Sequence, residues 1–265
     1  MSYLLHFGLK HDPLGKSVKK AVPSEQQTLL HNKLNWLTQT RGIGLITGEA
    51  GTGKTMALRQ WAETLNALTH HIIYQADNHF QAFDIYSQLA DTLGIDKHHR
   101  YSTLWRALKQ HLLDLHDNKQ LTPVWILDEA HNLPANFLAE LPAFLNFSFD
   151  SREVLLIVLI GNSTLHATLN KTFYNALTSR LLFQFQWKAI DDFQPFQKFI
   201  VDAFQNAGLQ STIISQSALQ LIHMASKGQL RYVHQIITQS LLKATQQNLN
   251  HLPDDIIQQS IEETK

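Results

Sequence analysis

The sequence predicts an α/β fold, a mostly parallel five-stranded sheet with helices on both faces, followed by a small all-helical domain. From Gly42 to about Trp187, short apolar runs alternate with longer segments whose apolar residues recur at three-to-four spacing. Strand and helix repeated in this order pack as a parallel sheet covered by helices. After Lys188 the strand-like runs stop and helical periodicity alone continues. With 265 residues, 44% hydrophobic and 17% charged, the chain is long enough for a medium domain plus a smaller one.

Residues 1–23 are expected to form an N-terminal arm containing the turn-rich FGLKHDPLG, Phe7 to Gly15. Such a segment could be a plain arm or could cover a bound base. SEQQTLLHNKLNWLTQ follows as a helix with Ser24 as its cap. The sheet domain, 24–188, takes its strands from IGLIT (Ile43–Thr47), HHIIYQ (His70–Gln75), PVWILD (Pro123–Asp128), EVLLIVLIG (Glu153–Gly161) and LLFQFQW (Leu181–Trp187). Each is a short apolar run rich in β-branched or aromatic residues. Between them KTMALRQWAETLNAL, FQAFDIYSQLADTLG, STLWRALKQHLLDLH and PANFLAELPAFLNF carry the helical spacing. The helical domain, 189–265, opens with DDFQPFQKFIVDAFQNAG, capped by Asp191 or Asp192 and stopped by Gly208. SQSALQLIHMASKG then ends on Gly228, QLRYVHQIITQSLLKATQQN follows, and a last helix runs from Pro253. No internal repeat is visible.

Composition narrows the function classes. Lys plus Arg equals Asp plus Glu at 22 each, so any nucleic-acid site must be a local patch. Cysteine is absent, which removes disulfides, thiolate metal sites and cysteine nucleophiles and fits a reducing compartment. The 15 histidines are scattered without a ligand spacing. The first residues lack the apolar core of a signal peptide, and no apolar stretch is long enough to span a membrane. The expectation is a cytoplasmic protein without a membrane partner.

GEAGTGKT, Gly48 to Thr55, satisfies G-x-x-x-x-G-K-[ST] between an expected buried strand and an expected helix. Gly48, Gly51 and Gly53 let the backbone turn its N–H groups inward around phosphates, and the helix N-terminus adds positive potential. Lys54 would reach the β- and γ-phosphates of ATP, and Thr55 would offer its hydroxyl to Mg2+. Glu49, Ala50, Thr52 and Met56 complete the expected ATP-binding stretch. VWILDEAH, Val124 to His131, is an apolar strand ending in two carboxylates. Asp128 would join Thr55 in the Mg2+ shell, and Glu129 would orient or deprotonate the attacking water. A glutamate directly after the magnesium aspartate points to ATP hydrolysis.

With these motifs, LIVLIGNSTL, GQLRYVHQI and the opening FGLKHDPL, the chain resembles the AAA+ ATPases of the ExeA/GspA type. That broad group includes the AAA+ regulators of DNA transposition such as the TnsC, TniB and MuB proteins. The resemblance implies a P-loop AAA+ sheet domain with a helical lid. It also implies roles by position: Asn162 as the first sensor between γ-phosphate and water, Arg180 as a finger reaching a neighbouring subunit's γ-phosphate, and Arg231 as the lid's second sensor. In the family pattern Gly-Gly-x-x-Arg, Lys227 here replaces the first glycine. Asn162 could instead be a turn residue, and Arg180 could be half of an ordinary ion pair.

Secretion-type relatives add a membrane segment and a wall-binding region after the ATPase module, whereas this sequence stops at Lys265. The expectation is therefore an ATP-dependent transposition regulator that oligomerises on duplex DNA as a ring or helical filament and recruits a transposase, with hydrolysis driving disassembly. The alternatives are a secretion-associated ATPase or a non-catalytic ATP-switched scaffold. Lys97, Arg100 and Thr103 in DKHHRYST, with His98 and His99, correspond to a DNA-contacting loop and would touch phosphates.

Overall fold

The computed structural model describes residues 2–15, 24–76 and 80–264. Met1 and residues 16–23 of the expected arm, residues 77–79, and Lys265 of the last expected helix lie outside the described residues. In chain order the elements are α1 (Tyr3–Phe7), α2 (Glu25–Thr40), β1 (Gly42–Gly48), α3 (Lys54–Thr64), β2 (His70–Gln75), α4 (Ala82–Thr92), α5 (Tyr101–Asp117), β3 (Thr122–Leu127), α6 (Ala135–Phe144), β4 (Leu156–Gly161), α7 (Ser163–Leu169), α8 (Asn175–Thr178), β5 (Leu181–Trp187), α9 (Phe193–Asn206), α10 (Gln216–Ser226), α11 (Leu230–Gln246) and α12 (Asp254–Thr264). Among the described residues no helix is long and apolar enough to cross a membrane.

The chain divides into two compact units. One comprises Leu29–Gly48 and Trp61–Gln186 and holds the five-stranded sheet in the order β2-β3-β4-β1-β5. The pairs β2 with β3, β3 with β4 and β4 with β1 are parallel. All residues of β1, β3 and β4 are buried, which is why these runs read as continuously apolar rather than alternating. Tyr86 packs against Trp125, Phe137 and Phe144, and Trp125 also meets Phe137 and Phe144 edge-on.

Two sequence expectations shift here. The strand expected from Glu153 starts only at Leu156, where pairing with Gly42 begins; Val154 and Leu155 are buried but lead into the ladder. The helix expected to reach Leu68 stops at Thr64, because Asn66 Oδ1 accepts from the Leu68 N–H at 2.9 Å and its carbonyl accepts from Thr69. A side chain that offers the backbone a local turn competes with the helical ladder.

The other unit comprises Met1–Thr28, Glu49–Gln60 and Trp187–Lys265. Ser24 caps α2, its Oγ accepting from Gln27 N, as its position before the apolar run implied. Helices α9 to α12 enclose a second core that includes Phe196, Ile200, Ile222, Val233, Ile236 and Ile257. Phe7 and Leu9 belong to that core. The Lys10 N–H donates to the Ala207 carbonyl, and Asp12 accepts from His234 at 2.7 Å and from the Leu14 N–H. The opening segment is thus tied to the helical core by apolar burial and by a charged hydrogen bond.

Candidate nucleotide site

β1 ends at Gly48, and α3 begins at Lys54. In the loop between them Gly51 has φ +77 and Gly53 φ +101, conformations that glycine adopts without steric cost. The loop's carbonyl oxygens are held. Glu49 O accepts from Thr52 Oγ1 at 2.8 Å and from Lys54 Nζ at 2.6 Å. Gly51 O accepts from the Arg231 N–H at 2.9 Å, and Thr52 O accepts from the buried Trp187 indole N–H at 3.0 Å. Gln229 Nε2 donates to the Glu49 carboxylate at 2.9 Å. With three carbonyls engaged, the peptide planes of the loop are fixed, which is the preorganisation that anion binding by backbone N–H groups needs.

A Cβ on Gly51 would lie 2.7 Å from Arg231 Cβ, so the backbones of the loop and of α11 approach as only glycine permits. The approach leaves no room for a side chain at position 51, so the loop packs on α11 through its bare backbone. Gly228, which opens the turn into α11, is equally confined: its Cβ would meet the Ile190 carbonyl oxygen at 2.2 Å. Lys227, which replaces the family pattern's first glycine, takes φ +50, the left-handed conformation glycine would adopt freely.

Asp128 directly follows β3 and is buried. Its Oδ1 accepts from the Glu129 N–H at 2.8 Å and its Oδ2 from the Tyr74 hydroxyl at 2.9 Å. Glu129 sits at φ +51, an uncommon conformation for a side-chain-bearing residue that costs about 1 kcal/mol or more. Its carboxylate is 58% exposed, with Oε2 3.4 Å from His131 Nε2. Asn162 directly follows β4, and its Oδ1 accepts from the Thr164 N–H and hydroxyl, capping α7. Because Thr47 is level with Gly161 and Leu127 with Leu159, Asp128, Glu129 and Asn162 all leave the same carboxyl edge of the sheet from which β1 enters the glycine loop. Ligands of open parallel sheets sit at that edge.

Arg180 is not brought to that edge. It precedes β5 and bonds Asp150 Oδ2 at 2.7 Å, at the end of the sheet where β4 begins. Lys97 and Arg100 are exposed between α4 and α5. Thr103, expected in the same loop, is instead in the first turn of α5, its N–H bonded to the Arg100 carbonyl at 3.1 Å. The apolar period of α5 starts one residue earlier than the sequence suggested, because Tyr101 packs with Phe83, Tyr86 and Trp105.

Four residues with contacts at the site escaped the sequence reading. Trp187 and Gln229 hold the glycine loop, Tyr74 holds Asp128, and His131 faces Glu129. Tyr74 and Trp187 are each the last or next-to-last residue of a strand, a position at the ligand edge that offers the one sequence signal available for them.

Residues 37–169, half of the chain, match the family described as AAA domain. The chain belongs to the AAA domain family. It is 28% identical over 248 residues to general secretion pathway protein A of Aeromonas hydrophila, a match covering 91% of this chain and 45% of that protein, so the chain spans less than half of the relative's length. In fold this AAA domain is similar to Cdc6p from Pyrobaculum aerophilum, with TM-score 0.76 at 19% identity over 95% of this chain and 70% of that one. It is also similar to the Aeropyrum pernix ORC1 protein in complex with DNA, with TM-score 0.73 at 16% identity over 95% of this chain and 68% of that one.

Proposed function

We propose that this AAA domain binds ATP on the Gly48–Met56 loop and hydrolyses it to ADP and phosphate. The observation that supports this most directly is the immobilised glycine loop, whose fixed carbonyls and narrow approach to Arg231 suit a phosphate chain. Lys54 leaves the Glu49 carbonyl to pair with the β- and γ-phosphates. Thr55 and the buried Asp128 would hold Mg2+, which neutralises phosphate charge when bound. Glu129 takes the proton of the water whose oxygen forms the new bond to γ-phosphorus as the bond to ADP breaks. The Nδ2 of Asn162, left over from its capping bond, orients that water, and Arg231 contacts the phosphates from α11.

Arg180, at the opposite end of the sheet from Glu129, serves a neighbouring copy in a homo-oligomer, where its guanidinium stabilises the transition-state charge. If so, Arg180→Ala protein mixed with Lys54→Ala protein regains turnover at mixed interfaces; no regain at any ratio contradicts the assignment.

Two readings follow for what the cycle drives. Assembly on duplex DNA, with recruitment of a transposase, draws support from the sequence resemblance and from the exposed Lys97 and Arg100. A secretion-linked role draws support from the similarity to general secretion pathway protein A across 91% of the chain. Electron microscopy with duplex DNA and a slowly hydrolysed ATP analogue separates them. DNA-dependent rings or filaments support the first reading, and assembly indifferent to DNA supports the second.

A further inference from the structure

β2 reaches the carboxyl edge of the sheet with Tyr74 and Gln75, and burial alternates there: Ile73 and Gln75 are buried, whereas Tyr74 is 54% exposed. A large aromatic side chain left half in solvent gains little from packing, so its hydroxyl is the part to account for. That hydroxyl donates to Asp128 Oδ2 at 2.9 Å. The strand register explains why a tyrosine makes this bond. Tyr74 stands opposite Ile126, and Asp128, two residues further on, shares the face of Ile126. Its backbone is thus offset from that of Tyr74 by about 6.6 Å along the strand and about 4.8 Å across, a span that the short side chains of serine and threonine would not cover.

Asp128 is held at three points. Its N–H donates to the Gln75 carbonyl at 2.9 Å, its Oδ1 accepts from the Glu129 N–H at 2.8 Å, and its Oδ2 accepts from Tyr74. Of these three bonds, the last alone is made by another residue's side chain. With both oxygens engaged, turning the carboxylate breaks at least one hydrogen bond to a charged group. A carboxylate has about four lone-pair positions, so it accepts hydrogen bonds and binds a hard cation at once. The donor set at Asp128 therefore fits Mg2+.

We propose that Tyr74 is a positioning residue for the magnesium carboxylate: its hydroxyl fixes the direction in which Asp128 presents its oxygens and so sets the metal affinity of the nucleotide-loaded domain. The inference rests on the reading of Asp128 as a Mg2+ ligand. Groups that orient a metal's ligands from behind matter roughly 10–100-fold for metal affinity. A tyrosine that served stability alone would behave differently, since loss of its hydroxyl would lower the melting temperature and leave metal affinity where it was.

The test is electron paramagnetic resonance of Mn2+, a hard cation that takes the oxygen ligands Mg2+ takes, titrated into the full chain held in excess over ADP. Tyr74→Phe keeps the ring and removes one hydroxyl. It should raise the Mn2+ dissociation constant about tenfold, while ADP affinity measured in EDTA stays within about twofold of wild type. Turnover should divide in the same way: the Mg2+ concentration for half-maximal rate rises about tenfold, and the rate at saturating Mg2+ recovers. Tyr74→Leu, which loses the ring as well, should weaken Mn2+ binding at least as much; a smaller effect contradicts the role of the hydroxyl. Unchanged or tighter Mn2+ binding by Tyr74→Phe overturns the inference, and so does an equal loss of ADP affinity in EDTA, which marks general damage to the site. Asp128→Asn separates the two layers. Wild-type Mn2+ affinity in that variant contradicts the reading of Asp128, whereas weakened binding there beside wild-type binding in Tyr74→Phe removes the role of Tyr74 alone.

Discussion

Replacing Gly51 by alanine adds one methyl group at the point where the glycine loop and α11 approach most closely. At φ +77 an L side chain costs about 1–2 kcal/mol from its own backbone. The new Cβ would stand 2.7 Å from Arg231 Cβ, well inside ordinary carbon contact distance, and overpacking of this kind costs a further 1–3 kcal/mol, roughly. Arg231 cannot swing away, because its Cβ is fixed by a backbone whose N–H donates to Gly51 O. The loop must therefore shift, opening that hydrogen bond and turning the amides on which the proposed phosphate binding depends. We expect a nucleotide dissociation constant raised about 30-fold or more, which corresponds to about 2 kcal/mol, together with a lower melting temperature. Gly8→Ala is the matched control, with φ +68 and nothing among the described residues within 4 Å of the added Cβ, so it carries only the backbone cost. Fluorescent-nucleotide titration and thermal melting of both variants decide the matter. Wild-type nucleotide affinity in Gly51→Ala, with a melting temperature no lower than that of Gly8→Ala, would refute the reasoning.

Trp187→Phe keeps an aromatic, though smaller, ring and removes the indole N–H, leaving the Thr52 carbonyl without that donor. An unpaired buried carbonyl costs about 1–3 kcal/mol, so the melting temperature and nucleotide affinity should both fall, as calorimetry and titration would show. Tyr86 is buried and its hydroxyl has no hydrogen-bond partner among the described residues, so Tyr86→Phe should hold or raise stability by about 1 kcal/mol; a clear loss in urea unfolding would mean the hydroxyl is satisfied. For Asp12, burial works to raise the carboxyl's pKa, but the hydrogen bond and charge of His234, aided by the Leu14 N–H and Tyr3, outweigh it and hold the group below the usual aspartate range. A depressed folded pKa contributes stability that is present above the unfolded value and is lost as pH falls through the folded one. Melting curves below about pH 4 should accordingly converge for wild type and Asp12→Asn, with the variant less stable at neutral pH.

The sheet and the glycine-rich turn between β1 and α3 were legible because both leave local signatures. The buried strands β1, β3 and β4 are continuous apolar runs, and β2 and β5, though only partly buried, still carry β-branched and aromatic residues; the one clear strand-boundary error, at Glu153, arose where buried residues precede the ladder. The glycine loop and the Asp128–Glu129 pair announce themselves by residue types that few other functions require. The supports of the loop were not legible. Trp187 to Thr52 spans 135 positions and Gln229 to Glu49 spans 180, and contacts at such separation leave no period or spacing. The turn at Ser148–Asp150, between α6 and β4, was hidden for a different reason: left-handed conformations are normally read from glycine or asparagine, and here serine, phenylalanine and aspartate are held in them by neighbours. Asn162 also caps α7 and Thr103 lies in the first turn of α5, local bonds that the position-based roles did not anticipate.

The central claim is that this AAA domain hydrolyses ATP with Glu129 as the group that activates water. Glu129→Gln retains size, exposure and the backbone bond from its N–H to Asp128 while removing the proton-accepting charge. The direct measurement is nucleotide affinity and steady-state phosphate release on the same preparation. The account predicts ATP affinity within about threefold of wild type and turnover reduced about 100-fold or more. Turnover equal to that of wild type would contradict it.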